Sequence, residues 1–505
     1  MKKTLILPDT LEACHAMIIS MAARIEQLQR RAFGGSLKDR AMKYDGPSLF
    51  EEFDKEAELD AAKELEKAAK EVDASAEKRR EEARAQSRNG NRPQKYNTYG
   101  LPEHIRTVYP DGINPDDYDI IGQDEVTELH LEPQRLWVEK TIMPILRRKS
   151  DKGQPSPRII RAPRPHSIIG GGHVGADLLA TLIDNKFSHH LPEYRQVRML
   201  GELGLKLPTS TINDWIHAAA NVLYPLYESQ REAVMAGRYV QIDEVPWNIA
   251  DRKGQSCRKG YAWQFRDVSP HPRGTYFYYH KGSRAGEIPR TQLRRYQGVI
   301  QTDGYKVYDK FEKVPGITAL TCMAHIRRKF VDAQKNHPLA GEALKYIATL
   351  YTLEENLKSA NATPDEIRQE RQRLAVPILN GLEVWMKAAL TSCTPKDPLA
   401  EAIKYALSLW PRVMRYTEDG RYLIDSNPVE RGQRPTALGR KNYLFSQNDR
   451  GAEDNAIFYT FTVSCDCLGI NPYHWLKHTL EKIRPDMNED QLIKLLPYNF
   501  KADQP

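Results

Sequence analysis

Two β-forming stretches of this chain each run straight into an aspartate: Arg238-Tyr239-Val240-Gln241-Ile242-Asp243 and Gly298-Val299-Ile300-Gln301-Thr302-Asp303. An acid at a strand end projects beyond the sheet, where a neighbouring strand can bring a second acid beside it. Between the two stretches lie Gly260-Tyr261-Ala262-Trp263-Gln264-Phe265 and Thr275-Tyr276-Phe277-Tyr278-Tyr279, both rich in aromatic β-formers. A short helix is expected over 287–296. Ile317-Thr318-Ala319-Leu320 supplies a fifth strand and leads into a helix over 324–334. Strands interleaved with helices in this way predict a mixed α/β sheet. Residues 336–420 read as a helical insertion, and the stretch after 425 as mostly helical.

Two carboxylates held a few ångströms apart repel one another unless a cation sits between them. Oxygen ligands of this kind suit magnesium or manganese. Two such ions can activate an attacking oxygen and stabilise the leaving one at a phosphodiester. Each acid also has an ordinary reading. Asp303-Gly304 is a common turn pair, and Asp243 could pair with a basic neighbour. The third candidate is Glu430, in Asp425-Ser426-Asn427-Pro428-Val429-Glu430-Arg431. With Asn427 as N-cap and Pro428 at the first helical position, Glu430 completes a capping box, which is its ordinary reading. Its neighbours Arg431, Arg434, Arg440 and Lys441 would attract phosphate, or form a plain solvated helix face.

The rest of the chain divides by composition. Leu11, Cys14, Ile18, Met21, Ile25 and Leu28 alternate steps of three and four, which fits either a short coiled coil or one amphipathic helix docked on a core. Residues 1–34 are therefore read as a leucine-zipper-like helix and 35–98 as a charged helical linker. Residues 99–165 are read as a small β-containing module, with strands within Thr127–Ile145 (Leu129, Leu131, Leu136, Val138 alternating) and a Pro/Gly-rich linker over 149–173. Residues 166–236 are helical. Val197, Leu200, Gly204 and then Thr209-Ser210-Thr211 ahead of Ile212 and Trp215 give a helix-turn-helix outline. The α/β core spans 237–445, with the insertion at about 336–420, and 446–505 forms a helical tail.

Composition narrows the function classes. No apolar run reaches the roughly 18 residues of a membrane span, and the first residues carry too short an apolar stretch for a signal peptide. A cytoplasmic protein without a membrane partner is expected. The net charge of +7 is compatible with a polyanionic partner. The six cysteines form no disulfide framework and no paired C-x-x-C set. A structural zinc site is therefore not expected, and Cys465-Asp466-Cys467 reads as buried small residues on a helix.

Several blocks, taken together and in order, resemble one known family. They are Ile242-Asp243-Glu244-Val245-Pro246, Gln301-Thr302-Asp303-Gly304-Tyr305, Cys322-Met323-Ala324-His325-Ile326-Arg327-Arg328-Lys329-Phe330, Asn427-Pro428-Val429-Glu430-Arg431-Gly432-Gln433-Arg434-Pro435 and Leu438-Gly439-Arg440-Lys441-Asn442. They look like the signature blocks of the insertion-sequence-66 transposases. His190-Leu191-Pro192-Glu193-Tyr194-Arg195-Gln196 and Leu495-Leu496-Pro497-Tyr498-Asn499-Phe500 resemble flanking segments of that family.

The resemblance implies a ribonuclease-H-like core with an Asp-Asp-Glu triad, which falls on Asp243, Asp303 and Glu430. It further implies cleavage at transposon ends and joining of 3′ hydroxyls to target DNA, with two magnesium or manganese ions on those three acids. The implied partners are double-stranded DNA, further copies of the chain and accessory transposition proteins. Arg327, Arg328 and Lys329 are expected at backbone phosphates. Cys322 and His325 form a C-x-x-H spacing near the site, read as a buried cysteine and a hydrogen-bonded histidine. Many relatives carry paired C-x-x-C motifs ahead of the catalytic domain. Here residues 105–162 contain no cysteine, so zinc is not expected there.

Overall fold

The computed structural model describes residues 135–141, 145–147, 159–161, 167–169, 174–250, 257–282, 284 and 286–501. The heptad segment and the charged linker lie outside the described residues. One unit, 77–161, contains an antiparallel pair, β1 (Ile145–Arg147) and β2 (Ile159–Arg161). Two expectations change here. Leu136 and Val138 lie in a stretch without regular structure, and the presumed 149–173 linker contains β2. Alternation over so few residues is a weak strand signal, and Pro-rich flanks hide a three-residue strand.

The other unit is built on one sheet. After helices α1 (Ala176–Phe187), α2 (Glu193–Glu202) and α3 (Thr209–Met235) come β3 (Tyr239–Ala250), β4 (Cys257–Asp267) and β5 (Thr275–His280). Helix α4 (Glu287–Gln292), β6 (Gly298–Thr302), a 3-10 helix (Lys306–Lys313) and β7 (Ile317–Thr321) follow. The strand order is β5-β4-β3-β6-β7. β3, β4 and β5 form an antiparallel meander, and β6 and β7 extend it in parallel with β3. The expected mixed α/β sheet is therefore present, within a largely helical chain. Tyr239 to Ile242 are all buried, as a central strand covered on both faces requires.

The remaining elements are helical: α5 (Met323–Gln334), α6 (Ala340–Ser359), α7 (Pro364–Glu370), α8 (Val376–Thr391), α9 (Pro398–Ser408), α10 (Trp410–Arg415), α11 (Asn427–Tyr443), α12 (Asp449–Leu468), α13 (Pro472–Lys482) and α14 (Glu489–Leu495). Helices α6 to α10 share an apolar core with α5, through Met323, Ile326 and Phe330 against Ile347, Leu379 and Ile403. Among the described residues no helix is long and apolar enough to cross a membrane. Cys465 on α12 is buried, in keeping with its reading as a small packing residue.

Helix α3 is longer than a recognition helix needs. It buries Ile212, Ile216, Ala219, Leu223 and Leu226 and packs on β5 and α12. Its N-cap is Pro208, which offers no side-chain cap, and Thr209 already lies within the helix.

Helix α12 closes the outer edge of the sheet. A bare edge strand exposes unpaired N–H and C=O groups. Here Thr460 Oγ1 accepts from the Phe277 N–H at 2.9 Å. Ser464 Oγ accepts from the Thr275 N–H at 2.9 Å and donates to the Thr275 carbonyl at 3.1 Å. Two hydroxyls one helical turn apart thus stand in for a missing strand. Thr460→Val keeps the shape but leaves the Phe277 N–H buried and unpaired, which costs about 1–3 kcal/mol. A lower urea midpoint with unchanged slope is expected, and an unchanged midpoint would show that the edge needs no cap.

Candidate active site

The sheet register aligns the candidate residues. Tyr239, Val240 and Gln241 of β3 pair with Val299, Ile300 and Gln301 of β6. Thr302 of β6 pairs with Thr321 of β7. Continued by two steps and one step, these registers set Asp243, Asp303 and Cys322 in one row across three neighbouring strands, about 5 Å from strand to strand. β3 does not end at Asp243, as the sequence suggested; it continues to Ala250 while paired with β4. What ends there is its parallel partner. Beyond that point one edge of β3 is unpaired by β6, so Pro246 is tolerated inside the strand.

Asp303 does form the turn its sequence suggests, and its carboxylate still faces the site. Its Oδ1 accepts from the Tyr305 N–H at 3.0 Å. The Gly304 N–H donates to the Tyr405 hydroxyl of α9 at 3.1 Å, and a Cβ on Gly304 would collide with Tyr405 and Leu409. Arg284 bridges two acids. Its Nε donates to Glu244, and its second amino group lies 3.5 Å from Asp303 Oδ2. The guanidinium stacks 4.1 Å above the Tyr305 ring. Glu244 is buried and also accepts from the Tyr308 hydroxyl at 2.8 Å. The basic neighbour considered for Asp243 therefore binds the next residue instead.

Glu430 reaches the row from α11. The segment before that helix is tied to the sheet by three buried side chains. Tyr239 donates to Gln301 Oε1 at 2.6 Å and accepts from the Leu423 N–H at 3.0 Å. Gln241 donates to the same Oε1 and to the Asp425 carbonyl, and accepts from the Val429 N–H. Gln301 donates to the carbonyls of Thr321 and Leu423. Gln433 adds a weaker contact from α11 to the Asp243 carbonyl at 3.4 Å.

The capping box does not form. Ser426 is the N-cap and makes no side-chain cap bond. Asp425 instead takes the Asn427 N–H at 3.0 Å, and the Glu430 carboxylate is turned to α5. There His325 Nδ1 lies 3.6 Å from Oε1, and Arg328 lies 3.5 Å from Oε2.

Burial, followed by the fields of Glu244, Asp303 and Glu430, raises the Asp243 carboxyl to about 7. Asp303 and Glu430 therefore each lie within electrostatic reach of Asp243. Burial raises Glu244 as well, against the pull of Arg284 and Tyr308. Burial lowers His325, against the opposing pull of Glu430 and Asp303. Cys322 is buried, is pushed up to about 11, and its sulfur accepts from the Ser426 N–H at 3.2 Å. Glu430 Oε1 and His325 Nδ1 are both buried without a hydrogen-bond partner. Such orphans are costly. Ligand atoms of Cys322, His325 and Glu430 lie within 4.8 Å of one another, so His325 faces the glutamate beside the buried Cys322.

A family model for the IS66 family of transposases matches residues 171–454. The chain belongs to the IS66 transposase family. It is similar to two uncharacterized proteins of Sinorhizobium fredii (strain NBRC 101917 / NGR234). One, y4jD, is 31% identical over 399 residues, covering 76% of each chain. The other, y4hP, is 29% identical over 403 residues, covering 75% of this chain and 71% of the relative.

In this family member the basic residues named from sequence have different fates. Arg327, Arg328 and Lys329 are exposed on α5, and Arg431, Arg434 and Lys441 are exposed on α11. Arg440 donates to the Pro246 carbonyl and so helps fix α11 to β3. The sequence reading missed Glu244, Arg284, Tyr308 and the Tyr239–Gln241–Gln301 group. A glutamine inside each of two apolar central strands was the available signal, because a buried amide must find partners.

The Asp243 carboxyl holds its proton more tightly in the folded chain than in the unfolded one, whose value lies near 3.9. The stability this gives is complete below about pH 4 and is lost as pH rises to about 7. In metal-free protein, Asp243→Asn should raise the thermal midpoint by several degrees at pH 7.5 and by much less at pH 4.5. Equal shifts at both pH values would contradict the cost assigned to this carboxylate.

Proposed function

We propose that this IS66-family chain is an Asp-Asp-Glu transposase that cuts DNA at transposon ends and transfers the 3′ hydroxyls to target DNA. The observation that carries this reading is the convergence of Asp243, Asp303 and Glu430 from β3, the end of β6 and the start of α11. The sheet, a three-strand meander continued by two parallel strands, supports a ribonuclease-H-like core. Acids far apart in sequence are gathered here, and among the described residues no lysine or arginine forms an ion pair with Asp243; a buried carboxylate so crowded suits a bound cation.

Asp243, Asp303 and Glu430 would hold divalent ions, magnesium or manganese. Bound there, two such ions supply activation of the attacking oxygen and charge stabilisation at the leaving one. The chain's own residues set the stage. Arg284 steadies Asp303 Oδ2 while the Tyr305 N–H holds Oδ1, and Arg328 and His325 of α5 orient the Glu430 carboxylate. The exposed bases Arg327, Arg328 and Lys329 on one side and Arg431, Arg434 and Lys441 on the other are placed for DNA phosphates, flanking the carboxylates. The polar start of α3, with Ser210, Thr211, Asn213 and Asp214, is a further candidate for DNA contact. An assembly of several copies, with accessory proteins, would pair two transposon ends in the cytoplasm.

A duplex ending in the terminal sequence of the element that encodes this chain tests the reading. With magnesium, the purified protein should nick it, and should join a pre-cut 3′ end to plasmid DNA. Asp243→Asn, Asp303→Asn and Glu430→Gln should each lower both rates by at least about a hundred- to a thousandfold. Wild-type rates in Asp243→Asn would sink the assignment, and cutting without joining would reduce it to a nuclease.

Phosphate contacts predict a separate effect. Arg431→Ala and Arg434→Ala should each weaken binding equally to any duplex and lower the salt slope of log affinity by about one. Arg440→Ala should leave that slope unchanged while lowering thermal stability. An equal change of slope in all three variants would show that Arg440 also faces DNA.

A further inference from the structure

A second group of metal-ligating side chains lies at the far end of α5 from Cys322. His337 follows that helix, while Cys393 and Asp397 sit in the loop between α8 and α9. Ligand atoms of all three lie within 4.8 Å of one another. His337 Nε2 is 3.6 Å from Asp397 Oδ2, and its Nδ1 is buried without a hydrogen-bond partner. Asp397 Oδ1 accepts from the Leu399 N–H at 2.8 Å, and the Asp397 N–H donates to the Thr394 carbonyl at 3.0 Å. Those two bonds fix the carboxylate and leave Oδ2 turned to the histidine. The Cys393 thiol donates to the Ala389 carbonyl at 3.2 Å.

We propose that His337, Cys393 and Asp397 form a binding site for zinc or a similar borderline-soft transition metal, separate from the carboxylate site. One sulfur, one imidazole nitrogen and one carboxylate oxygen match the donors zinc takes, and a thiolate disfavours magnesium and calcium. A thiolate and a carboxylate together balance the charge of a divalent ion. Bonds of about 2.0–2.3 Å in a tetrahedron set donors roughly 3.3–3.8 Å apart, so the three donors would draw closer on binding than their present spread within 4.8 Å. Water would fill the fourth position.

On binding, the thiol proton passes to solvent and the S–H bond to Ala389 is released. A metal takes the thiolate, so the proton leaves as the metal enters. No motif spacing marks these ligands in the sequence, because they come from two separate loops.

The position gives such an ion a structural consequence. It would clamp the end of α5 to the start of α9. Helix α5 carries His325 and Arg328 to Glu430, and α9 carries Tyr405 to the Gly304 N–H. The metal would brace two walls around the carboxylates without touching them. The inference stands on the cluster alone and does not need the transposase chemistry.

Metal-free full-length protein titrated with cobalt(II) tests it, since a cobalt thiolate absorbs by sulfur-to-metal charge transfer. A one-equivalent band that zinc displaces is expected. It should vanish in Cys393→Ser, require at least about tenfold more cobalt in His337→Ala, and persist in Cys322→Ser. Asp397→Asn retains a side-chain oxygen for the Leu399 cap, so weaker binding there, with an unchanged circular dichroism spectrum, separates a lost ligand from a lost fold. A band retained in Cys393→Ser, or no thiolate band in the folded wild type, overturns the proposal. Loss of the band in Cys322→Ser instead would assign the thiolate to the cluster around Glu430.

Discussion

Three buried side chains, Tyr239, Gln241 and Gln301, are the constraint on which the site depends. All three lie in the central strands, and all are almost wholly removed from solvent. Buried amides are tolerable only when their groups find partners, and each unmade bond costs more than a made one contributes. The partners here are the backbone of Leu423, Asp425 and Val429. A segment nearly two hundred residues beyond β3 is thereby held in one register against the sheet. That register decides where Glu430 stands, because α11 begins within the anchored stretch. Apolar residues at the same positions would pack as well and leave the helix free to slide, so the polar network supplies position rather than net stability.

The carboxylates themselves work against folding. Asp243 is raised by burial and by three neighbouring acids, and Glu430 Oε1 faces His325 with no hydrogen bond made. A fold selected for stability alone would place apolar or paired groups there. The surrounding bonds offset the cost: Arg284 on Glu244 and Asp303, Tyr308 on Glu244, and Tyr405 on the Gly304 N–H. Arg284 and Tyr308 engage both Glu244 oxygens, Arg284 and the Tyr305 N–H engage both Asp303 oxygens, and Tyr405 fixes the turn that carries Asp303. The strain is therefore local and points toward one space.

Much of the sheet was legible because its signals are local. β4, β5 and β7 announce themselves by aromatic and β-branched runs, and their observed bounds lie close to the expected ones. The end of β3 was misplaced because Asp243-Glu244 and Pro246 look like a stop. A proline at an edge is permitted, and whether a strand has an edge is decided by its neighbours. The pattern of a strand ending in an acid was also not sufficient by itself. β4 ends in Asp267, a buried acid consumed by the Ser269 and Arg273 N–H groups of its own hairpin. What separates Asp303 from Asp267 is the identity of the adjacent strand, which only the fold and the family blocks supply. Glu430 shows the converse. Its capping-box pattern was correct as a sequence pattern and was not used, because Asp425 took the backbone N–H first.

The helices between α5 and α11 are walls of the site rather than an appendage. Helix α5 buries Met323, Ile326 and Phe330 against α6, α8 and α9, and it is the opposite side of α5 that offers His325 and Arg328 to Glu430. An apolar stripe and a functional stripe share one helix, so the packing of the first sets the aim of the second. Tyr405, in the same helical stretch, fixes the turn that carries Asp303. Asp303 is thus positioned by a residue from what reads, in sequence, as an insertion, and Glu430 by residues of the helix packed against that insertion. Asp243 alone is set by the sheet. A repacking of the helical stretch would therefore move Asp303 and Glu430 relative to Asp243 while leaving every strand in place.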